Sequence, residues 1–290
     1  MTPKSNRLLR MAAIDFLNPA PLMWDFEHEP ERSQLLERYT ISRTTPAECA
    51  LQLRSGEADL GLVPVASYAA SPDLLIVPGC TVASLDRIRS ILLVVRPADG
   101  IAAVRTVAAD TSSQTSCVYT RILFDLFWKR RVEFIPSAPN LEEMLAAADA
   151  AMLIGDPALL ALEDRESRQE RTGERLLYLD LAHEWHMLTG LPWVSAYWAI
   201  RSDALARTGI SPDRLIQDLH ASRDHGLQHI EEIVAEWSVR IAVPSATIRS
   251  YLTANIHYTL DEACLHGLRE FYRHAEACGA LPAVQTLTFL

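Results

Sequence analysis

Between the apolar run Val107-Ala108-Ala109 and the mixed run from Cys117 to Arg130 stands Asp110-Thr111-Ser112-Ser113-Gln114-Thr115-Ser116. Hydroxyl, amide and carboxylate groups are crowded there, at a corner where a strand should give way to a helix. Capping is one chemistry they could do, because Ser, Thr and Asp at a helix start accept hydrogen bonds from its orphan N–H groups, but that task needs one side chain. Anion binding is the other: free N–H groups at the positive helix end hold a carboxylate or phosphate while neighbouring hydroxyls donate to it. The local sequence admits both.

Further candidates are dispersed along the chain. Asn18, before Pro19, suits an Asx-type turn or an amide donor. Ser90 directly precedes the apolar Ile91-Leu92-Leu93-Val94-Val95, without the Gly-x-Ser-x-Gly elbow of a nucleophile. Gly155 and Asp156 follow the apolar Ala151–Ile154 and precede Pro157. Asp156 there suits a helix cap, and Gly155 would let the backbone approach a ligand closely. His183 and His186 are spaced to meet on one helix face, but no third ligand stands at credible spacing, so no metal site is expected. Trp185, Trp193, Tyr197 and Trp198 read as core and cleft wall rather than a stacking platform.

Composition narrows the partners. The 290 residues carry 27 Lys and Arg against 37 Asp and Glu, a formal charge of -10, with no basic stripe of the kind nucleic acid requires. An anionic ligand must therefore be drawn in by local dipoles and placed donors, against the global field. The 5 cysteines lack paired spacing and their odd number cannot be fully bridged, which fits small buried apolar residues in a reducing compartment. No run approaches membrane-span length, and the apolar start of the chain is broken by Asp15, Asn18 and Pro19 before it reaches signal-peptide length. The expectation is a cytoplasmic protein with neither membrane nor nucleic acid as partner.

These candidates must be positioned by an alternating α/β chain. Residues 9–17, 39–44, 58–65, 74–80 and 88–96 read as strands, with a helix opened by Pro21 and another by Thr45-Pro46-Ala47-Glu48 and closed by Gly56. A second alternating unit follows Arg96-Pro97: a strand to Asp110, a helix from Ser112 to Lys129, strands at 132–136 and 149–156, and a return strand at 191–202. Beyond Ser202 the pattern is helical, with one helix across 212–237 and a last one opened by Thr259-Leu260-Asp261-Glu262. The expected organisation is two α/β lobes: residues 1–94 as the first part of one lobe, 95–197 inserted as the second, and 198–290 as the largely helical return. Crossings near 94–97 and 192–198 would form a hinge, with a ligand in the cleft between the lobes.

Read in order, the segments IDFLNPAPL, GEADLGLVPVASY, PGCTVASLDRIRSILLV, VAADTSSQTS, DAAMLIGDPAL, DLAHEWHMLTGLPWVSAYWAIR and FYRHAEACGALP resemble the chorismate dehydratase family of the futalosine route to menaquinone. The resemblance covers nearly the whole chain, and LIGD paired with TGLPWV is its most specific part. It implies a two-lobe fold like type 2 periplasmic binding proteins, and conversion of chorismate to 3-[(1-carboxyvinyl)oxy]benzoate and water without cofactor or metal. It further implies that Asn18 and Ser90 face the ring hydroxyl, and that Ser113, Gln114, Thr115 and Ser116, with Gly155 and Asp156, bind the dianionic substrate. Gln114 departs from the arginine common in relatives, and Val65 from a common serine. Two alternatives stay open: a small-anion binding or sensor protein of the same fold, and an enzyme like 1,4-dihydroxy-6-naphthoate synthase, whose SPCPND-like opening IDFLNPAPL does not match.

Overall fold

A computed structural model describes residues 8–71, 73–96, 100–110, 113–284 and 286–290. Thr111, Ser112 and Pro97 lie outside the described residues. Among the described residues ten strands form two sheets: β1 (Leu9–Ile14), β2 (Tyr39–Thr44), β3 (Leu60–Pro64), β4 (Leu74–Ser84), β5 (Ile91–Val95), β6 (Thr106–Asp110), β7 (Glu133–Ser137), β8 (Ala150–Ile154), β9 (Leu177–Asp180) and β10 (Trp193–Arg201). The first sheet has the order β2-β1-β3-β10-β4 and the second β7-β6-β8-β5-β9. In each, three parallel strands are followed by an antiparallel neighbour, β10 in the first sheet and β5 in the second. The central strands β3, β5 and β8 are buried along their whole length, which is why they read as unbroken apolar runs, while the edge strands β2 and β7 alternate with polar residues.

Local chemistry sets most boundaries. The helix Pro46–Ser55 starts where Thr45 Oγ1 accepts from Glu48 N at 3.3 Å and stops at Gly56, whose φ of 77° only glycine adopts freely. The helix after β6 runs Gln114–Ile122 and continues into a wider turn, Leu123–Phe127, in which Trp128 N bonds to Leu123 O five residues back. The expected long helix over 212–237 is two, Pro212–Gln228 and Ile230–Ser238, separated by His229 at φ -111° and ψ 32°. The last helix, Glu262–Ala277, is capped by Asp261 rather than Thr259, since Asp261 Oδ1 accepts from Cys264 N at 2.9 Å. Strand β9 escaped the sequence reading because its four residues are too short to show a period.

The chain passes from the first sheet to the second between Ser84 and Ile91, and returns through the helix Leu181–Thr189 into β10. Both passages are tied by one carboxylate: Asp180 accepts from Ile88 N and Arg89 N on the way out, and from Ala182 N and His183 N at the start of the returning helix. Arg89 takes φ 63° to make that turn. The first passage thus precedes β5, whereas the sequence placed it near 94–97. An apolar run marks a buried strand without saying in which sheet it pairs.

One core cluster extends from the first sheet to the inner face of the second, and Trp185, Trp193, Tyr197 and Trp198 are fully buried within it. A smaller cluster around Leu92, Val94 and Leu153 covers the second sheet's outer face. No helix among the described residues is long and apolar enough to cross a membrane.

Candidate functional site

The carboxyl ends of parallel strands from both sheets converge on one cavity, the usual place for ligands in open α/β sheets. Ile14 ends β1, Pro64 ends β3 and Ile154 ends β8, while Ser113 stands three residues past β6. Asn18, Ser90, Thr115, Ser116, Gly155 and Ser195 complete its polar lining among apolar walls that include Phe16, Leu62, Val82 and Ile91. About 510 Å³ there is free of atoms. None of the described lining residues carries an ionisable side chain.

Residues from distant parts of the chain meet in this lining. Ser90 is buried at the start of β5, and its carbonyl accepts from Gly155 N at 2.7 Å, joining the ends of β5 and β8. Its Oγ accepts from the Tyr251 hydroxyl at 2.7 Å. Asn18 follows β1, and its carbonyl accepts from the Tyr258 hydroxyl at 3.0 Å. Tyr251, Tyr258 and Ser195 were not singled out in the sequence. No local signal marks them, since Tyr251 is 161 residues from Ser90 and Tyr258 is 240 from Asn18.

At the corner between β6 and the helix Gln114–Ile122, both readings of the hydroxyl cluster hold in part. Ser113 is the cap, accepting from Ser116 N at 3.2 Å, and it donates to Ser116 Oγ at 2.8 Å. Ser113, Thr115 and Ser116 also line the cavity, beside the helix's first N–H groups, which have no partner within the helix. Gln114 instead faces an adjoining hollow with Arg54, Ser67 and Asp110, where its Oε1 accepts from Ser67 Oγ at 3.3 Å. Thr115 Oγ1 accepts from Ala66 N at 3.1 Å in a buried setting. Thr115→Val strands that N–H and should cost about 1–3 kcal/mol of stability on top of any loss in ligand binding. Urea unfolding checks this, and a midpoint equal to the parent's would contradict it.

Gly155 has φ 59° and a Cβ there would meet the Phe16 ring at 3.1 Å, so the close approach it permits is to Phe16. Asp156 is not the helix cap. It stands second in the helix Gly155–Glu163, and its Oδ1 accepts from Leu17 N at 3.3 Å, linking β8's end to the loop that carries Asn18. Burial is the main cause that pushes its carboxyl up to about 6. The folded chain therefore holds this proton more tightly than the unfolded chain, and the group's contribution to stability falls as pH rises from about 4 to about 6. Asp156→Asn keeps an acceptor for Leu17 N and should stabilise the fold by about 1–3 kcal/mol above that range, with little effect below it. Unfolding in urea on both sides of the range measures the difference, and an equal change at both would refute it.

Asp15, Glu48 and His183 are engaged elsewhere, and His186 lies outside the cavity lining with its Nδ1 buried and without a hydrogen-bond partner among the described residues. Asp15 pairs with Arg43 and Arg240, at 3.1 Å and 2.8 Å. Glu48 lines an outer hollow beside Asp15 and Arg43. His183 bonds to Asp86 and Arg87 on the passage between sheets. Among the described residues, the set of ligand atoms close enough for a cation is His257, Asp261 and Cys264, within 4.8 Å of one another and outside the cavity lining. Burial pushes the Cys264 thiol up to about 12, and the Cys49 and Cys80 thiols likewise.

A family model described as menaquinone biosynthesis matches residues 9–277. The chorismate dehydratase of Thermus thermophilus is 31% identical over 259 residues, spanning 84% of this chain and 88% of that protein. Among solved structures, an Archaeoglobus fulgidus protein superposes with a TM-score of 0.70 at 14% identity, covering 94% of this chain and 98% of its own. A Candida albicans gene product described as having the generic periplasmic binding protein fold gives 0.67 at 12% identity, covering 98% and 97%. The alkanesulfonate-binding protein of Xanthomonas axonopodis pv. citri, bound to MOPS, gives 0.66 at 17% identity, covering 97% and 96%. At these identities the three structures show the fold, and it is that of periplasmic binding proteins.

Proposed function

The chain belongs to the menaquinone-biosynthesis family, and from that premise we propose that it is a chorismate dehydratase, a hydro-lyase. The observation that carries the reading, beside the family, is a cavity at the strand ends walled by hydroxyls, an amide and a helix N-terminus, with no ionisable side chain in its described lining. Such a surface suits an anionic substrate that brings its own base.

Thr115 and Ser116, the latter oriented by the hydroxyl of Ser113, hold one substrate carboxylate together with the first N–H groups of their helix. Gln114 lies in the adjoining hollow and Asp156 holds the Leu17 N–H, so neither lines the cavity itself. The enolpyruvyl carboxylate lies beside the ring hydrogen to be removed, and such intramolecular placement raises effective concentration greatly. It takes that proton. The C–H electron pair becomes a ring double bond, and the ring C–O bond breaks as hydroxide leaves. Hydroxide and the abstracted proton combine as water, so the ring becomes aromatic with no change in redox balance. Asn18 and Ser90 orient the departing hydroxyl and stabilise the charge that grows on it.

Incubating the purified protein with chorismate tests the reading. Mass and ultraviolet detection should find an aromatic product lighter by one water, at a rate that chelator leaves intact. Binding without product would make the chain a binding or sensor protein, and inhibition by chelator that zinc reverses would refute the metal-free route.

A further inference from the structure

Ser90 is held by a residue that no sequence signal marks. Tyr251 is completely buried, and its hydroxyl donates to Ser90 Oγ at 2.7 Å. It opens the wide turn Tyr251–Asn255, in which Ile256 N bonds to Tyr251 O five residues back, and turns of this kind recur at functional sites. Seven residues later Tyr258 donates to the carbonyl of Asn18. One short segment thus grips both residues assigned to the departing hydroxyl.

A serine hydroxyl has one proton and two lone pairs. With Tyr251 donating to one lone pair, the Ser90 proton must point elsewhere, and Ser90 lines the cavity. Accepting one hydrogen bond also strengthens the bond that a hydroxyl donates. On the dehydratase reading, on which this inference rests, we infer that Tyr251 is a positioning residue: its hydroxyl fixes the Ser90 rotor so that the serine donates to the departing ring hydroxyl, and it strengthens that bond as negative charge grows there. No proton leaves the tyrosine, and the water formed takes both hydrogens from the substrate. Burial raises the phenol well above its ordinary value, so it remains a donor at every pH at which the chain is folded and near neutral.

The test is a double-mutant cycle on chorismate turnover. Tyr251→Phe keeps the ring and removes the hydroxyl, and should lower kcat roughly 10–100-fold with KM within about threefold of the parent. Combined with Ser90→Ala it should cost far less than it does alone, because the phenol, which also meets the Asn18 side chain, acts chiefly through the serine. A Tyr251→Phe enzyme as fast as the parent, or one that loses the same factor again in the Ser90→Ala background, overturns the inference while leaving the dehydratase reading intact. A parent that forms no aromatic product overturns both. Should Tyr251→Phe fail to fold by circular dichroism, 3-fluorotyrosine at position 251 retains the shape and makes a stronger donor. It should raise kcat with KM unchanged, and an unaltered kcat counts against the tyrosine.

Discussion

Ser90→Ala should lower kcat on chorismate roughly 10²–10³-fold in a chain that still folds, the scale seen when one preorganised donor to developing negative charge is removed. The side chain removed is small and its one mapped bond is accepted from Tyr251, so the lost atom leaves no bulky cavity. Substrate affinity should change far less than turnover, because the departing hydroxyl is neutral in the ground state and acquires charge only as the C–O bond breaks. Asn18→Ala should act in the same sense. By contrast Glu48→Gln and His183→Gln alter groups outside the cavity lining and should leave turnover near that of the parent. Steady-state kinetics with circular dichroism as the folding control decides the matter. A loss of several orders of magnitude on neutralising Asp15 or Asp156, with binding retained, would show that the protein supplies the base and would end the substrate-assisted route.

Gly226→Ala should destabilise the fold by about 3 kcal/mol or more, although alanine is the better helix former by about 1 kcal/mol. Gly226 lies in the helix Pro212–Gln228, and a Cβ there would stand 2.1 Å from Pro21 O and 2.7 Å from Pro21 C and Cα. All three are backbone atoms, so no side-chain rotation relieves the clash. The same helix face is keyed to this segment by Ser222, which donates to Leu22 O at 2.9 Å and accepts from Asp25 N at 3.1 Å. Pro21 is three residues from Asn18, so whatever displacement the methyl forces reaches the asparagine, and kcat should fall with stability. Urea unfolding reads the first effect and turnover the second. A variant more stable than the parent would show that the segment yields freely.

The strands and most helices were legible because their signals are local: Thr45 and Gly56 bracket a helix within a dozen residues, and β3, β5 and β8 announce burial on both faces by unbroken apolar runs. What the sequence could not supply was pairing. Its placement of the first crossing after β5 followed from reading a strand without knowing its sheet. Asp156 looked like a cap because carboxylates favour that position, yet its partner is Leu17, on the opposite sheet's loop. Asn18, Ser90 and the hydroxyl corner came from resemblance and local crowding together, and the structure places them around one cavity. Tyr251 and Tyr258 could not be found in this way, since their partners lie in parts of the chain that only the tertiary fold brings near.

The cavity's place between the two sheets bears on timing. Its walls come from both, Ile14, Leu62 and Pro64 from the first sheet and Ile91 and Ile154 from the second. A substrate bound there is held from both sides, and if the sheets part to admit it, the encounter is gated by that motion rather than by diffusion. Mixed rapidly with rising concentrations of chorismate, the chain should therefore show an observed binding rate that climbs and then levels off, and the height of that plateau is the frequency at which the doorway opens.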